Sequence, residues 1–288
     1  MQLPETMTLE QWLAKGEAEL RAGPLPDRAH RDAETLLLHV IESERAALLV
    51  RWNERLDEAE SAHYLDLIGR RHAGEPIQYI LGETEFYGLP FHVTRDCLIP
   101  RPESEHLVEK AIELAASFKQ PRIVDVGTGS GCIAVALAAN LPHASLTATD
   151  LSAPALALAR ENAERNAVGA RIRFLKGNLF APVAEQKYEI IVSNPPYVCL
   201  TERGSLAAEV RDYEPPLALF AGADGLDVYR VLIPQAFAAL LPGAWAALEI
   251  GYGQAEPVRA LLAAAGFTAI DFCQDLQGIP RVVAARRL

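Results

Sequence analysis

Ile123-Val124-Asp125-Val126-Gly127-Thr128-Gly129-Ser130-Gly131 decides the fold of this chain, because a short β-branched strand runs directly into a glycine turn. Cys132-Ile133-Ala134-Val135-Ala136-Leu137-Ala138-Ala139 then reads as the start of a helix. Glycines at such a turn let the backbone approach a ligand at the carboxyl end of the strand, as in nucleotide-binding α/β folds. The spacing Gly-x-Gly-x-Gly differs from the dinucleotide fingerprint, which needs glycine where this chain has Cys132. Asp150 closes the next apolar segment, Ser145 to Thr149, where a carboxylate can accept both hydroxyls of a ribose. Its other possible role, capping the helix that begins near Ala153, suits Ser152 better. A glycine loop (Gly127, Thr128, Gly129, Ser130, Gly131) and a ribose acid, with no phosphate-binding lysine, favour an adenosine without phosphates. S-adenosylmethionine fits that description. Asp125 either touches this cofactor or ties down the amides of the loop.

Outward from this stretch, apolar strands alternate with helical patterns. Strands are expected near 122–126, 145–149, 171–175, 189–193, 245–250, 267–273 and 281–285. Helices are expected at 132–140, 153–167, 228–241 and 254–265. This alternation predicts an α/β fold with a mainly parallel sheet covered on both faces. The short Gly278-Ile279-Pro280 connection suits a hairpin and makes the last strand antiparallel. Functional side chains should collect at the carboxyl ends of the strands. Asp125, Asp150, Asn178 and Asn194 all fall there.

Asn194-Pro195-Pro196-Tyr197 follows the apolar run Ile190-Ile191-Val192 and makes a pocket for a planar amino group. Asn194 offers its side-chain oxygen and Pro195 its backbone carbonyl. The proline pair fixes φ twice and removes two competing backbone donors. Tyr197 adds an aromatic face. Alone, these residues are equally a rigid turn after a strand. Coming after the glycine loop and Asp150, they point to methyl transfer onto a conjugated nitrogen.

Residues 1–73 read as amphipathic helices. Thr8 with Gln11 and Asp57 with Glu60 have capping-box spacing. Apolar stripes (Leu9, Trp12, Leu13, Leu20; Leu36, Leu37, Val40, Ile41; Leu48, Leu49, Trp52; Tyr64, Leu65, Leu67, Ile68) read as helix-bundle core. Residues 74–99 change character, and Glu85-Phe86-Tyr87 and Phe91-His92-Val93-Thr94 flank Gly88-Leu89-Pro90 as a hairpin linker. Phe91 is either core of that hairpin or a wall of the substrate site. Pro102 suits the first turn of a helix reaching about Phe118. The third segment is 100–288.

The chain has 288 residues, half of them hydrophobic and 23% charged, so a substantial core is available. The net charge of −11 argues against a protein that grips nucleic acid through its phosphates. Four separated cysteines, with no Cys-x-x-Cys, suit a reducing compartment. Met1-Gln2-Leu3-Pro4-Glu5 lacks the marks of a signal peptide, and no apolar run is long enough to span a bilayer. A cytoplasmic protein is expected. The seven histidines show no metal-ligand spacing, and no Gly-x-Ser-x-Gly elbow suggests a hydrolase.

These motifs together resemble a class I S-adenosylmethionine-dependent methyltransferase, and more narrowly the PrmC/HemK family. Further support for the resemblance comes from Gly74-Glu75-Pro76-Ile77-Gln78-Tyr79-Ile80-Leu81-Gly82, Glu85-Phe86-Tyr87-Gly88, Ile99-Pro100-Arg101-Pro102-Glu103-Ser104-Glu105 and Gly225-Leu226-Asp227-Val228-Tyr229-Arg230. It covers essentially the whole chain. It implies a Rossmann-like seven-stranded sheet carrying an N-terminal helical substrate-docking domain. It also implies that S-adenosylmethionine is converted to S-adenosylhomocysteine without a metal. The acceptor would be the glutamine side-chain nitrogen of the Gly-Gly-Gln motif in class I peptide chain release factors. By the same resemblance Asn194 and Pro195 are catalytic, and Pro196, Tyr197 and Phe91 help bind substrate. Gly127 to Gly131, Asp150, Asn178, Leu179 and Asn194 hold the cofactor. Asn178 stands where relatives often carry an acid, and Leu179 where some carry an aromatic residue against the adenine. Arg101, Glu103 and Glu105 either make surface pairs or line the cleft. Glu209, Glu214-Pro215 and Arg230 look like parts of a closing loop. A monomer is expected, with neither membrane nor direct nucleic-acid binding. The rival readings are glutamine methylation of a ribosomal protein, adenine-N6 methylation of nucleic acid, and a non-catalytic cofactor-binding module.

Overall fold

The computed structural model describes residues 7–288, except for the side chains of Ala47 and Leu49. The expectation read from Met1 to Glu5 and the stripe position Leu49 lie outside the described residues. The chain packs as two units: residues 1–82 with Ala207–Tyr213, and Glu83–Leu206 with Glu214–Leu288.

The first unit is helical. Its helices are Leu9–Arg21, Ala29–Val40, Arg45–Val50, Glu58–His72 and Ile77–Leu81. Both expected capping boxes form. Thr8 and Gln11 exchange backbone and side-chain bonds, as do Asp57 and Glu60, which satisfies amides that a helix start leaves without partners. The apolar stripes converge on Trp12, Leu36, Leu37 and Tyr64. Trp12 meets Tyr64 edge-on at 6.1 Å, and the Tyr64 hydroxyl donates to the Ala33 carbonyl. Ala207–Tyr213 belongs to this unit through a buried cation. Arg71 donates to Asp32 Oδ2 at 2.6 Å and to Glu209 Oε2 at 3.1 Å. Glu209 is therefore committed to the helical unit, a correction to its expected place in a loop closing over the site.

The second unit opens with a hairpin, β1 (Glu83–Phe86) and β2 (Leu89–His92). Then follow β3 (Arg122–Val126), β4 (Ser145–Asp150), β5 (Ile172–Lys176), β6 (Tyr188–Ser193), β7 (Leu240–Glu249), β8 (Thr268–Gln274) and β9 (Pro280–Arg286). The seven-stranded sheet has the order β5-β4-β3-β6-β7-β9-β8. All pairings from β5 to β7 are parallel, and β9 is antiparallel to both β7 and β8. Side chains alternate across the sheet. Ile123, Ile190 and Val192 enter the core on one face, while Val124, Val126 and Ile191 enter the core on the other. Both faces are covered, which is why these strands read as continuous apolar runs.

Helix Cys132–Asn140 is buried from Cys132 through Ala138, as expected of a helix that is apolar all round. Gly131 caps it with φ +82°, and a Cβ there would lie 2.9 Å from Ala159 Cβ. Only glycine lets the turn hold that backbone and let helix Ala153–Arg165 pass so close. The strand order reverses around β3, since β4 lies on one side of it and β6 on the other. A doubly wound sheet opens a crevice at that point, beyond the carboxyl ends of the strands.

Candidate active site

A cleft of about 280 Å³ occupies that crevice. The loop after β3 contributes Gly127, Thr128, Gly129 and Ser130, and the end of β4 contributes Asp150 and Leu151. Asn178 and Leu179 follow β5, and Asn194 and Pro196 follow β6. Four strand ends thus bring together most of the residues expected from the sequence.

Asp150 is tied into the cradle. Its Oδ2 accepts from Gly129 N and its Oδ1 from Ser152 N, each at 2.8 Å. A carboxylate has about four acceptor positions, so two remain for hydroxyls of a ligand. Ser152, not Asp150, caps the following helix, with its Oγ accepting from Ala155 N. Asp125 lies beneath the loop, fully buried, and its Oδ2 accepts from Thr128 Oγ1 at 2.6 Å. Burial is the main cause that raises its pKa to about 7, and the nearby Asp150 charge adds to it. Asp125 does not line the cleft; it braces the loop that does.

Leu179 stands at φ +49°, a backbone region that non-glycine residues seldom adopt. Its carbonyl accepts from Thr149 Oγ1 at 3.1 Å, which holds the turn in place. Leu179 and Leu151 give the cleft aliphatic lining, and Phe220 also lines it. Cys97 and Cys132 also line the cleft, and burial pushes their thiols up to about 11 and 12. Such thiols stay protonated and are poor nucleophiles.

Asn194 sits at the mouth of β6. Its Nδ2 donates to Ser104 Oγ at 3.0 Å, and Ser104 Oγ donates to Glu249 Oε2 at 2.5 Å. The Tyr197 hydroxyl reaches the other oxygen, Glu249 Oε1, at 3.4 Å. Glu249 ends β7 and is only 2% exposed. Desolvation raises its carboxyl to about 7 against the opposing pull of Ser104 and Tyr197. Gln254 braces the same loop from behind, donating Nε2 to the carbonyls of Tyr197 and Gly225.

Several expected site residues stand elsewhere. Phe91 is fully buried, meets Phe86 edge-on and belongs to the core under the hairpin, which corrects its expected place in the substrate wall. The Tyr197 ring packs against the core and turns its hydroxyl to Glu249, so it is not part of the cleft lining either. Gly131 and Pro195 are likewise absent from the lining; Gly131 serves the helix packing already described. Arg101 pairs with Glu214 and Glu105 accepts from Tyr87 N, leaving Pro100 and Ser104 as that segment's cleft residues. Arg230 pairs with Asp224 and Asp227 at the surface.

Ser104, Leu151, Glu249 and Gln254 were not singled out from the sequence. Glu249 carried a usable signal, a carboxylate closing an apolar strand just as Asp150 does. Among the described residues no group of His, Cys, Asp or Glu is arranged to hold a metal.

The lining includes Asp96 and Asp150 but neither lysine nor arginine. Two carboxylates and no cationic side chain in the lining suit a positively charged ligand better than a polyphosphate. Family profiles match on both sides of Glu83: "PrmC N-terminal domain" over residues 11–82 and "Methyltransferase small domain" over residues 104–209. A release factor glutamine methyltransferase of Geobacter sulfurreducens is 44% identical over 260 residues, covering 90% of each chain. The protein of that name from Koribacter versatilis is 41% identical, with 98% of this chain and 99% of its own covered. The chain belongs to the release factor glutamine methyltransferase family.

Among solved structures, the hMettl16 catalytic domain in complex with an RNA hairpin shares 18% identity at a TM-score of 0.57. It covers 81% of this chain and 83% of its own. That likeness speaks for the fold alone. In this member of the family one cleft brings together the glycine loop with Asp150 and the Asn194 turn with its buried support.

Proposed function

We propose that this chain methylates the side-chain amide nitrogen of the glutamine in the Gly-Gly-Gln motif of class I peptide chain release factors. The observation that carries the reading, beyond family membership, is Asn194. Its Nδ2 is engaged by Ser104, so Oδ1 is the end left to accept an N–H from a carboxamide. Pro195 does not line the cleft, so the Asn194 side-chain oxygen is the acceptor on which this reading rests. Held this way, the amide keeps more electron density on nitrogen.

Gly127, Thr128, Gly129, Ser130, Asp150, Asn178 and Leu179 would hold S-adenosylmethionine, which supplies a methyl group on a sulfonium and leaves as the thioether. The substrate nitrogen gains one methyl and gives up one proton, which passes to water. No strong base is needed at neutral pH, because the N-protonated cation that methyl transfer produces is itself a strong acid. The work of the protein is alignment, and positioning of this kind contributes several kcal/mol, up to about 7–11 in the best cases.

The helical unit is read as the docking domain for the release factor. The net charge of −11 supports a protein acceptor over a nucleic acid. The four cysteines, none of them joined in a disulfide, support the cytoplasm as the working compartment, and a monomer suffices for this chemistry. Incubation of purified release factors with the protein and S-adenosylmethionine, followed by peptide mass spectrometry, tests the reading. One methyl increment on the Gly-Gly-Gln peptide is expected. Methyl transfer confined to a ribosomal protein or to nucleic-acid adenine would replace it.

A further inference from the structure

The Asn194 amide can be seated in two ways, and only one suits its proposed task. With Oδ1 toward the cleft it accepts an N–H from the substrate. With Nδ2 toward the cleft it presents a donor to a donor, which is repulsive. The hydrogen bond that the Asn194 side chain makes runs from Nδ2 to Ser104 Oγ. The selection comes from the chain of hydrogen bonds behind it.

Ser104 has a single hydroxyl proton. An ionised Glu249 can only accept, so that proton points to Glu249 Oε2. Ser104 Oγ must then act as an acceptor toward Asn194, which forces Nδ2 to the rear. Tyr197 donates to the other carboxylate oxygen, so both ends of Glu249 are supplied with donors. We propose that Glu249 is a positioning residue that sets the direction of the Ser104–Asn194 hydrogen bonds and so keeps Asn194 Oδ1 facing the substrate amide. The proposal rests on the glutamine-methylation reading and deepens it.

A neutral group at position 249 lets the chain run backwards. A protonated Glu249 donates to Ser104, Ser104 donates to Asn194 Oδ1, and the amide turns its NH2 to the cleft. The groups facing this carboxyl are few. Ser104 and Glu103 come from the segment before helix Glu105–Ala115, and Tyr197 comes from the turn after β6. Arg281 comes from β9, and the Tyr229 hydroxyl binds the Glu249 backbone carbonyl. Arg281 is already paired with Asp275. The raised pKa of about 7 places the reversal within reach of ordinary buffers.

The test compares the wild-type protein with Glu249→Gln, Ser104→Ala and the double variant, using a purified release factor at saturating S-adenosylmethionine. Wild-type kcat/KM should rise with pH to about pH 7 and then level. Glu249→Gln should lose about 10- to 100-fold above that pH and should also lose the acid limb. Ser104→Ala should lose a similar factor, and the double variant no more, because both break one relay. Cofactor affinity by calorimetry should stay within about threefold in each variant, less than one hydrogen bond's worth.

Wild-type turnover with an unaffected Glu249→Gln, or losses that multiply in the double variant, overturns the inference alone. Absence of release-factor methylation by the wild type overturns the functional reading and this inference with it. Should Glu249→Gln fail to fold, Ser104→Ala and the wild-type pH profile decide. A flat profile between about pH 6 and 8, or full activity in Ser104→Ala, counts against the relay.

Discussion

Gly129 donates its backbone N–H to Asp150 Oδ2 at 2.8 Å, so the glycine loop after β3 and the carboxylate ending β4 form one rigid cradle. Losing that carboxylate would free the loop and remove the proposed acceptor for a ribose. Asp150→Ala should weaken S-adenosylmethionine binding by roughly 10- to 150-fold, the worth of about 1.5–3 kcal/mol for hydrogen bonds to a charged group. Calorimetric titration checks this. Asp150→Asn keeps one acceptor and should fall between the two. Unchanged affinity in Asp150→Ala would remove the residue from the cofactor site.

In the proposed reading Asn194 acts on the other reactant. Asn194→Ala deletes one acceptor for the substrate amide, a loss of roughly 1–3 kcal/mol and about 5- to 150-fold in turnover. Cofactor affinity should stay close to the wild-type value, since the loop and Asp150 are untouched. Single-turnover kinetics together with calorimetry separate the two effects. A variant that keeps full turnover would relieve Asn194 of its assigned part.

The sheet was largely legible because parallel strands buried on both faces leave long β-branched runs bounded by turn residues. β7 is the exception, starting at Leu240 where a strand near 245–250 was expected. Its pairing with β6 shifts between Tyr188 and Ile190, and Leu240 to Gly243 bulges through a Pro-Gly pair that reads as a turn. The meeting of Gly127 to Ser130, Asp150, Asn178 and Leu179 in one cleft was legible too, because each of these residues ends a strand or opens a loop. The Ser104–Glu249 contact was not, since the partners stand 145 positions apart and meet only through the sheet order. Glu209 misled for the same reason. Its partner Arg71 lies in the helical unit, and nothing local marks a segment that packs there.

Gly225 supports the Asn194 turn by being small. It has φ +73°, and a Cβ there would stand 2.3 Å from the Tyr197 carbonyl and 2.7 Å from Gln254 Nε2. Gly253 has a similar φ of +77° but open space around it. Gly253→Ala should therefore cost only the backbone penalty, about 1–2 kcal/mol. Gly225→Ala adds a collision with the loop behind the active site and should cost roughly 1–3 kcal/mol more. It should also depress methyl transfer, which Gly253→Ala should not. Denaturant titrations of the two variants, with activity alongside, measure the difference directly. Equal losses would mean that the turn yields to the extra methyl group.

Asp125 carries the clearest pH signature in stability. Its folded value lies at about 7 against an ordinary 3.8, because burial penalises the charged form. The folded protein therefore binds more protons than the unfolded chain between these two values, and stability falls as pH rises through that window. Above about 7 both states are ionised at this residue and its contribution levels off. Asp125→Asn cannot titrate, and its amide oxygen can still accept from Thr128. The wild-type unfolding free energy minus that of the variant should thus decline from about pH 5 to 7 and then flatten. Parallel curves across that range would show that Asp125 titrates in the folded protein as it does in the open chain.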